Sequence, residues 1–307
     1  MLRIGGSMGY VDISAEVGTV DTPFGFESAV AIVRKAFASA DQDFSKILDR
    51  YLENGQIDAF PRVGKTSGAY CASFTGLPTF VLLNHVPSFD SVKTLAHEMG
   101  HAIHGEYSKR NHVLYEHFTT STAEVASTLF ENFAFDEMLS GLSEKDQVVA
   151  LHNRVMDNVA TVFRQIAFVN FETELHALVR AEGFVSRDRI SDLMVKHLKS
   201  YLGPKFRLDR DDGLFWVRLS HIRRFFYMYT YAYGQLISNA MYARYREDPA
   251  FIERIKQFLS AGGSDTPENI FKSIGIDTTK KGFWADGLRL IEDDVARLEK
   301  LVNRRSR

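Results

Sequence analysis

A chain of 307 residues, 45% hydrophobic and 25% charged, can bury the core of one large domain or two small ones, and its net charge of −2 gives no general hold on nucleic acid or an anionic membrane. Its one cysteine, Cys71, excludes an intramolecular disulfide and fits a reducing compartment. No basic segment leads into a long apolar core at the N-terminus, and no apolar run approaches the ~20 residues that cross a bilayer, so a cytoplasmic protein without a signal peptide is expected.

In chain order, residues 1–24 are glycine-rich and read as irregular, partly strand or loop. Residues 26–55 carry helical periodicity with a break near Ala40, which predicts two helices. From 57 to 86 the character changes. Pro61, Gly64, Gly68, Gly76 and Pro78 punctuate the β-prone segments AYCASF and TFVLLN, a hairpin or small sheet. From Phe89 onward the pattern is nearly all helical, with breaks near Gly141, Gly183, Gly203, Pro249 and Gly262. No repeat, low-complexity tract or convincing linker interrupts it. The expectation is a mainly α protein, one domain over residues 1–307, with a small β-sheet beside the helix considered next.

That helix contains TLAHEMGHAIHGEY, residues 94–107. His97 and His101 are four apart, so a helix puts them on one face, one turn apart, where both imidazoles reach a single ion. Glu98 sits beside the first histidine and can meet a water bound to that ion, the H-E-x-x-H arrangement of zinc hydrolases. Such a string also arises by chance. Here Leu95, Ala96, Met99, Ala102 and Ile103 give it an apolar surround, and a buried histidine pair needs a reason. Gly100 costs about 1 kcal/mol of helix propensity, which makes sense if something approaches the helix backbone closely beside the metal. His104 shares the face but lies about 10 Å beyond His97 along the axis, too far to share the ion, and reads as a packing or outer-sphere residue.

A third ligand must come from another element. STAEVASTLFENFAFDEML (121–139) reads as a second helix, with N-cap chemistry at Thr119, Thr120, Ser121 and Thr122 and an apolar stripe of Val125, Leu129, Phe133 and Met138. Glu124 falls in its first turn between small neighbours, where a carboxylate could complete the ligand set. Complementing the helix dipole explains Glu124 nearly as well on spacing alone. Glu131, two turns on, suits hydrogen bonding to a ligand. Further along, SHIRRFFYMYTYAYGQL (220–236) sets tyrosines at 227, 229, 231 and 233 after His221. A long helix fits this segment better than a strand and would place Tyr227, Tyr231 and Gly234 on one face. A single tyrosine there is ordinary core, but four with a histidine could supply O–H and N–H donors to a developing oxyanion.

The motifs GKTSGAYCAS, TFVLLNHV, TLAHEMGHAIH, TAEVASTLFENF, HIRRFFYMYTYAYG and FLSAGGSDTPENIF occur in an order that resembles the thimet oligopeptidase/oligoendopeptidase F family of zinc peptidases, and the oligoendopeptidase F branch in particular, over roughly residues 10–300. The resemblance implies a zincin-like helical catalytic domain, Glu124 as the third metal ligand and Glu98 as general base. It implies that His221 and Tyr231, then Tyr227, face the metal, and leaves Tyr229 and Tyr233 open because the two branches space their tyrosines differently. It also implies that Gly68, Ala69 and Tyr70 form the edge strand on which an extended peptide pairs, a mode that uses main-chain hydrogen bonds whatever the side chains. Family members are usually about twice this length, with an N-terminal helical lobe across a deep channel; these 307 residues resemble the catalytic half alone, and the lobe is expected to be missing from them.

The expected function is therefore a zinc-dependent endopeptidase of short unfolded peptides, with one Zn²⁺ per chain on His97, His101 and Glu124. The rivals are a zinc-containing peptide-binding module with little turnover, because half the channel is missing, and a structural helical protein whose histidines are polar core. The intact Glu98 speaks against pure binding. Short peptides are the expected partners, with no nucleic acid and no membrane. A second copy or another protein is expected to cover the channel side, since large bare apolar patches promote association.

Overall fold

The computed structural model describes residues 6–15 and 17–305, so the irregular opening segment falls partly outside the described residues, at 1–5 and 16. A two-residue strand, β1 (Met8–Gly9), precedes helices α1 (Phe26–Ala40) and α2 (Gln42–Glu53). The break between these helices falls at Asp41, where the backbone turns extended and the carboxylate accepts the Asp43 N–H to cap α2. A three-stranded sheet follows, made of β2 (Ile57–Asp58), β3 (Tyr70–Ala72) and β4 (Phe80–Leu82). Strand β4 is central. It runs parallel to β2, with Ile57 opposite Val81, and antiparallel to β3, with Cys71 opposite Val81. Strand β3 is left at the edge.

Helix α3 (Phe89–Ser108) starts at Ser88, whose hydroxyl accepts the Ser91 N–H, and α4 (Thr120–Ser140) starts at Thr119, which does the same for Thr122. Helix α5 (Glu144–Asn158) runs through a π-helical turn at Val159–Arg164 into α6 (Gln165–Glu182). There follow α7 (Arg187–Leu202), strand β5 (Phe206–Arg207) in parallel with β1, and the short α8 (Phe215–Arg218). The chain ends its described part with α9 (Tyr229–Glu247), α10 (Ile252–Ala261), α11 (Pro267–Ser273) and α12 (Lys281–Arg305). Gly141, Gly183, Gly203 and Gly262 cap the C-termini of α4, α6, α7 and α10, at the breaks expected. Among the described residues no helix is long and apolar enough to cross a membrane.

The tyrosine segment departs from the expected long helix. His221 lies in a 3₁₀ turn, Ser220–Arg224, and α9 begins only at Tyr229, so Tyr227 precedes the helix that carries Tyr231. Phe225 and Phe226 take positive φ between them, which no continuous helix allows.

Helix α4 organises the main core. The expected stripe of Val125, Leu129, Phe133 and Met138 is buried, but so are Ala126, Phe130 and Ala134 on other sides. A helix apolar all round belongs inside, and α4 is clasped between α3 and α9. The Phe130 ring lies 4.9 Å from both Phe37 and Phe44, tying α4 to α1 and α2. The α3–α4 crossing needs Gly100, since a Cβ there would sit 2.8 Å from Ser127 Cα. The α4–α9 crossing needs Gly234, where a Cβ would lie 3.0 Å from Glu124 Cβ. The close approach inferred at Gly100 is thus the backbone of α4. A second core gathers Phe168, Phe171, Leu193, Met194, Leu198 and Met228 around α6 and α7.

Candidate metal centre and its relatives

His97 and His101 lie on adjacent turns of α3, and Glu124 on the first turns of α4, brought alongside by the Gly100 crossing. One ligand atom from each residue lies within 4.8 Å of the others, and His97 Nε2 is 3.8 Å from Glu124 Oε2. A tetrahedral ion with bonds of about 2.1 Å sets its ligands roughly 3.4 Å apart, so a small closure of these side chains completes the coordination. His104 is no part of this group. It is buried, stacked on Phe118 at 3.6 Å between ring centroids, and its Nδ1 has no hydrogen-bond partner. Burial lowers its pKa to about 3, so it packs as a neutral ring.

The electrostatics favour a cation. Glu98, Glu124 and Glu131 all act on His97. Its Nδ1 is 2.5 Å from Glu131 Oε1, which fixes that edge of the ring and leaves Nε2 facing Glu124. Burial works against a charge on His97, but the bond to Glu131 and the three carboxylates outweigh it and push the pKa up to about 9. His101 goes the other way, down to about 3, through burial and then the neighbouring His97 and His104. Burial also opposes ionisation of Glu131, yet its bond to His97 and the nearby Lys93 and Arg154 hold its carboxyl below the usual range. Arg154 is itself fixed by Asp294 at 2.7 Å and Asn132 at 3.1 Å.

Glu98 is buried, and its Oε2 has no hydrogen-bond partner. Burial pushes its pKa up to about 7, assisted by the negative Glu124 and Glu131 and opposed by His97. A carboxyl poised near neutrality and aimed into a cleft has the properties of a general acid–base group. The cleft is a cavity of about 430 Å³ bordered by His97, Glu98, His101 and Glu124 on one side and by Ala69, Tyr70 and Cys71 on the other.

Of the expected peptide-pairing residues, Tyr70 opens the edge strand β3, while Gly68 and Ala69 lead into it. The strand therefore starts later than expected, and Gly68 borders a neighbouring hollow with Leu83 and Asn84. The Asn84 side chain donates to the carbonyls of Thr66 and Gly68, at 2.9 and 2.8 Å, and so sets the approach to the edge. Of the expected oxyanion residues, none is among those bordering this cavity, but they meet one another: His221 Nε2 is 3.1 Å from the Tyr231 hydroxyl, and the Tyr227 ring lies 5.8 Å from His221 and 5.6 Å from Tyr231. The three rings form one cluster although Tyr227 is off the helix. Burial, then Tyr227 and the Glu124 carboxylate, push the Tyr231 phenol up to about 12, so it stays a hydrogen-bond donor near neutral pH. Tyr233 turns away to pack against Trp284 and Phe271, with Tyr229 against it at 6.4 Å.

Sequence reasoning passed over several cavity residues. Cys71 lines the cavity, and burial followed by Glu98 pushes its thiol up to about 12, so it is an inert neighbour. Ser73, Lys109, Glu116 and His117 also border it. Lys109 is held by Thr79 at 2.9 Å and Glu106 at 3.1 Å. None of these stands in a recognisable spacing with the H-E-x-x-H string; only the fold makes them neighbours.

The model of peptidase family M3 matches residues 33–290. The chain belongs to peptidase family M3. Among its curated relatives, the oligopeptidase PepF of Bacillus subtilis is 28% identical over 280 residues, covering 90% of this chain and 42% of that protein. The group B oligopeptidase PepB of Streptococcus agalactiae is 27% identical over 298 residues, covering 95% of this chain and 49% of the relative. The family M3 chain spans about half the length of the curated relatives it matches. Among solved structures, a putative peptidase from Chlamydophila abortus superposes with a TM-score of 0.87 at 25% identity, over 96% of this chain and 50% of that one. Oligoendopeptidase F from Enterococcus faecium shares the fold, with a TM-score of 0.71 at 22% identity over 97% of this chain and 47% of the other.

Proposed function

We propose that this chain is a zinc-dependent endopeptidase of short, unfolded peptides, acting as one catalytic unit. The observation that carries the reading is the convergence of His97, His101 and Glu124 beside a buried, unpaired Glu98 oxygen, in a cavity bordered by an edge strand. The donor set of two imidazoles and a carboxylate suits zinc and leaves a fourth position open. When bound, zinc supplies a Lewis acid that acidifies water and polarises the scissile carbonyl. Glu98 takes the proton of the attacking water and passes it to the departing amine. His221 and Tyr231, with Tyr227 beside them, donate hydrogen bonds to the oxygen that gains negative charge. An extended peptide pairs with β3 through its main chain, guided by Gly68, Ala69 and Tyr70, which requires an unfolded substrate.

Names of relatives as oligopeptidases support the substrate class. Self-association through the cavity side belongs to the same reading, because Tyr70 at the cavity and Phe74, Leu77 and Phe80 in the same sheet region are exposed apolar residues. The deciding experiment is cleavage of a quenched fluorescent peptide library with and without chelator, alongside Glu98→Gln. That variant keeps size and shape but not the base, so zinc content should persist while turnover falls by ~10²-fold or more. Wild-type turnover in Glu98→Gln would refute the mechanism.

A further inference from the structure

Between α8 and α9 the backbone enters a conformation that residues with side chains avoid. Phe225 has φ +44° and Phe226 φ +54°, the only non-glycine residues with positive φ among those described. Crowding of Cβ against the carbonyl disfavours this region, so it persists only where surrounding structure enforces it. Phe225 is 70% exposed, with only an edge contact to the His176 ring at 6.1 Å, so its own packing does not supply that enforcement.

The enforcing contact comes from α6. The Phe226 N–H donates to Glu172 Oε1 at 2.8 Å, and Glu172 is fully buried. Its other oxygen, Oε2, has no hydrogen-bond partner. His176, one turn further along α6, brings Nε2 to 3.9 Å from Glu172 Oε1 and sets its ring 5.0 Å from that of Phe226. A buried carboxylate is costly, and a charge-assisted bond to a backbone N–H is among the few contacts that offset it.

The strained turn joins the two halves of the proposed oxyanion cluster. His221 lies before it, in a 3₁₀ turn with no buried residue. Tyr227 follows it directly, and its carbonyl accepts from the Thr230 N–H at 3.1 Å and Thr230 hydroxyl at 2.8 Å as α9 begins. Tyr231 lies in the first turn of α9. The angle between His221 and the tyrosines is therefore set by the turn. We propose that Glu172 is a positioning residue for the peptidase reaction: by holding Phe226 in its left-handed conformation it fixes His221, Tyr227 and Tyr231 against one another. The catalytic half of this statement rests on the peptidase reading above; the clamp itself does not.

Amide exchange in the full chain, followed by NMR, tests the clamp directly. The Phe226 amide, outside any helix, should exchange more than ~10-fold slower than an unprotected amide. Glu172→Ala should abolish that protection in the 222–230 segment while α3 and α4 stay protected. Its kcat should fall about 10- to 100-fold with KM within ~3-fold, and zinc content should be unchanged. Glu172→Gln retains an acceptor and most of the packing, and should restore both protection and kcat in large part. Free exchange of Phe226 in the wild-type chain would overturn the proposal, and that result needs no variant to fold. So would a folded Glu172→Ala with unaltered kcat, or one whose exchange rises throughout the molecule. Absence of turnover in the zinc-loaded wild-type chain would instead refute the peptidase reading, while the exchange data still decide whether Glu172 holds the turn.

Discussion

The two sides of the candidate site are built in opposite ways. The candidate metal side consists of two long, buried helices locked at a glycine crossing, with Leu95, Ala96, Met99, Val125 and Ala126 fully buried around the proposed ligands. The proposed oxyanion side is a strap of a 3₁₀ turn, two left-handed phenylalanines and the first turns of α9. Donors that must converge on one ion within a few tenths of an ångström need the rigid packing of a core. Groups that need only meet a charge as it forms can sit on a segment defined by a few hydrogen bonds. Damage to the first side should therefore show in metal content and stability, and damage to the second in turnover alone.

The largest break of that division is expected from His97→Ala, His101→Ala or Glu124→Ala. Each should take zinc from about one per chain to near zero, measured by elemental analysis after dialysis, and abolish peptide cleavage. Retention of zinc by Glu124→Ala would mean the third ligand lies elsewhere. Next comes Tyr231→Phe, which removes one donor from the strap; kcat should fall about 10²-fold with zinc content and thermal midpoint unchanged. A matching loss of zinc would blur the division between the two sides.

Glu131→Gln probes the metal side from behind. It keeps an acceptor for His97 Nδ1 but removes the charge, and should weaken zinc affinity about 10-fold in chelator competition, at the lower end for an outer-sphere partner. The smallest functional effect is expected from His104→Ala. Losing a buried ring stacked on Phe118 should destabilise the fold by about 1–3 kcal/mol in urea unfolding, with zinc content unaltered. Equal zinc loss in this variant would restore His104 as a ligand.

Much of the helical framework is local and so legible in the sequence. Side-chain caps at Ser88 and Thr119 and glycine at the ends of α4, α6, α7 and α10 act within a turn of where they stand. The same holds for His97, Glu98 and His101, whose geometry follows from one helical turn. The two-residue strand β2 was not legible, because a pair of residues carries no alternation and its pairing with β4 is a long-range event. The tyrosine segment misled for a related reason. Its composition suits a helix through Tyr227, but the buried Glu172, fifty-odd positions earlier, claims the Phe226 N–H and delays α9 to Tyr229.

By itself, then, the sequence determined the helical character, the capped and glycine-terminated helix ends, the imidazole pair and its adjacent carboxylate, because periodicity and capping depend on neighbours a few residues apart. That Glu124 stands beside His97 and His101, and not merely in the first turns of a helix, was decided by the tertiary structure, through the close approach of α4 to Gly100 and Gly234. So were the position of β3 at a sheet edge and the meeting of His221 with Tyr227 and Tyr231 across a non-helical turn. Each joins residues whose separation is set by packed backbones and a buried hydrogen bond, and no local spacing rule carries that information.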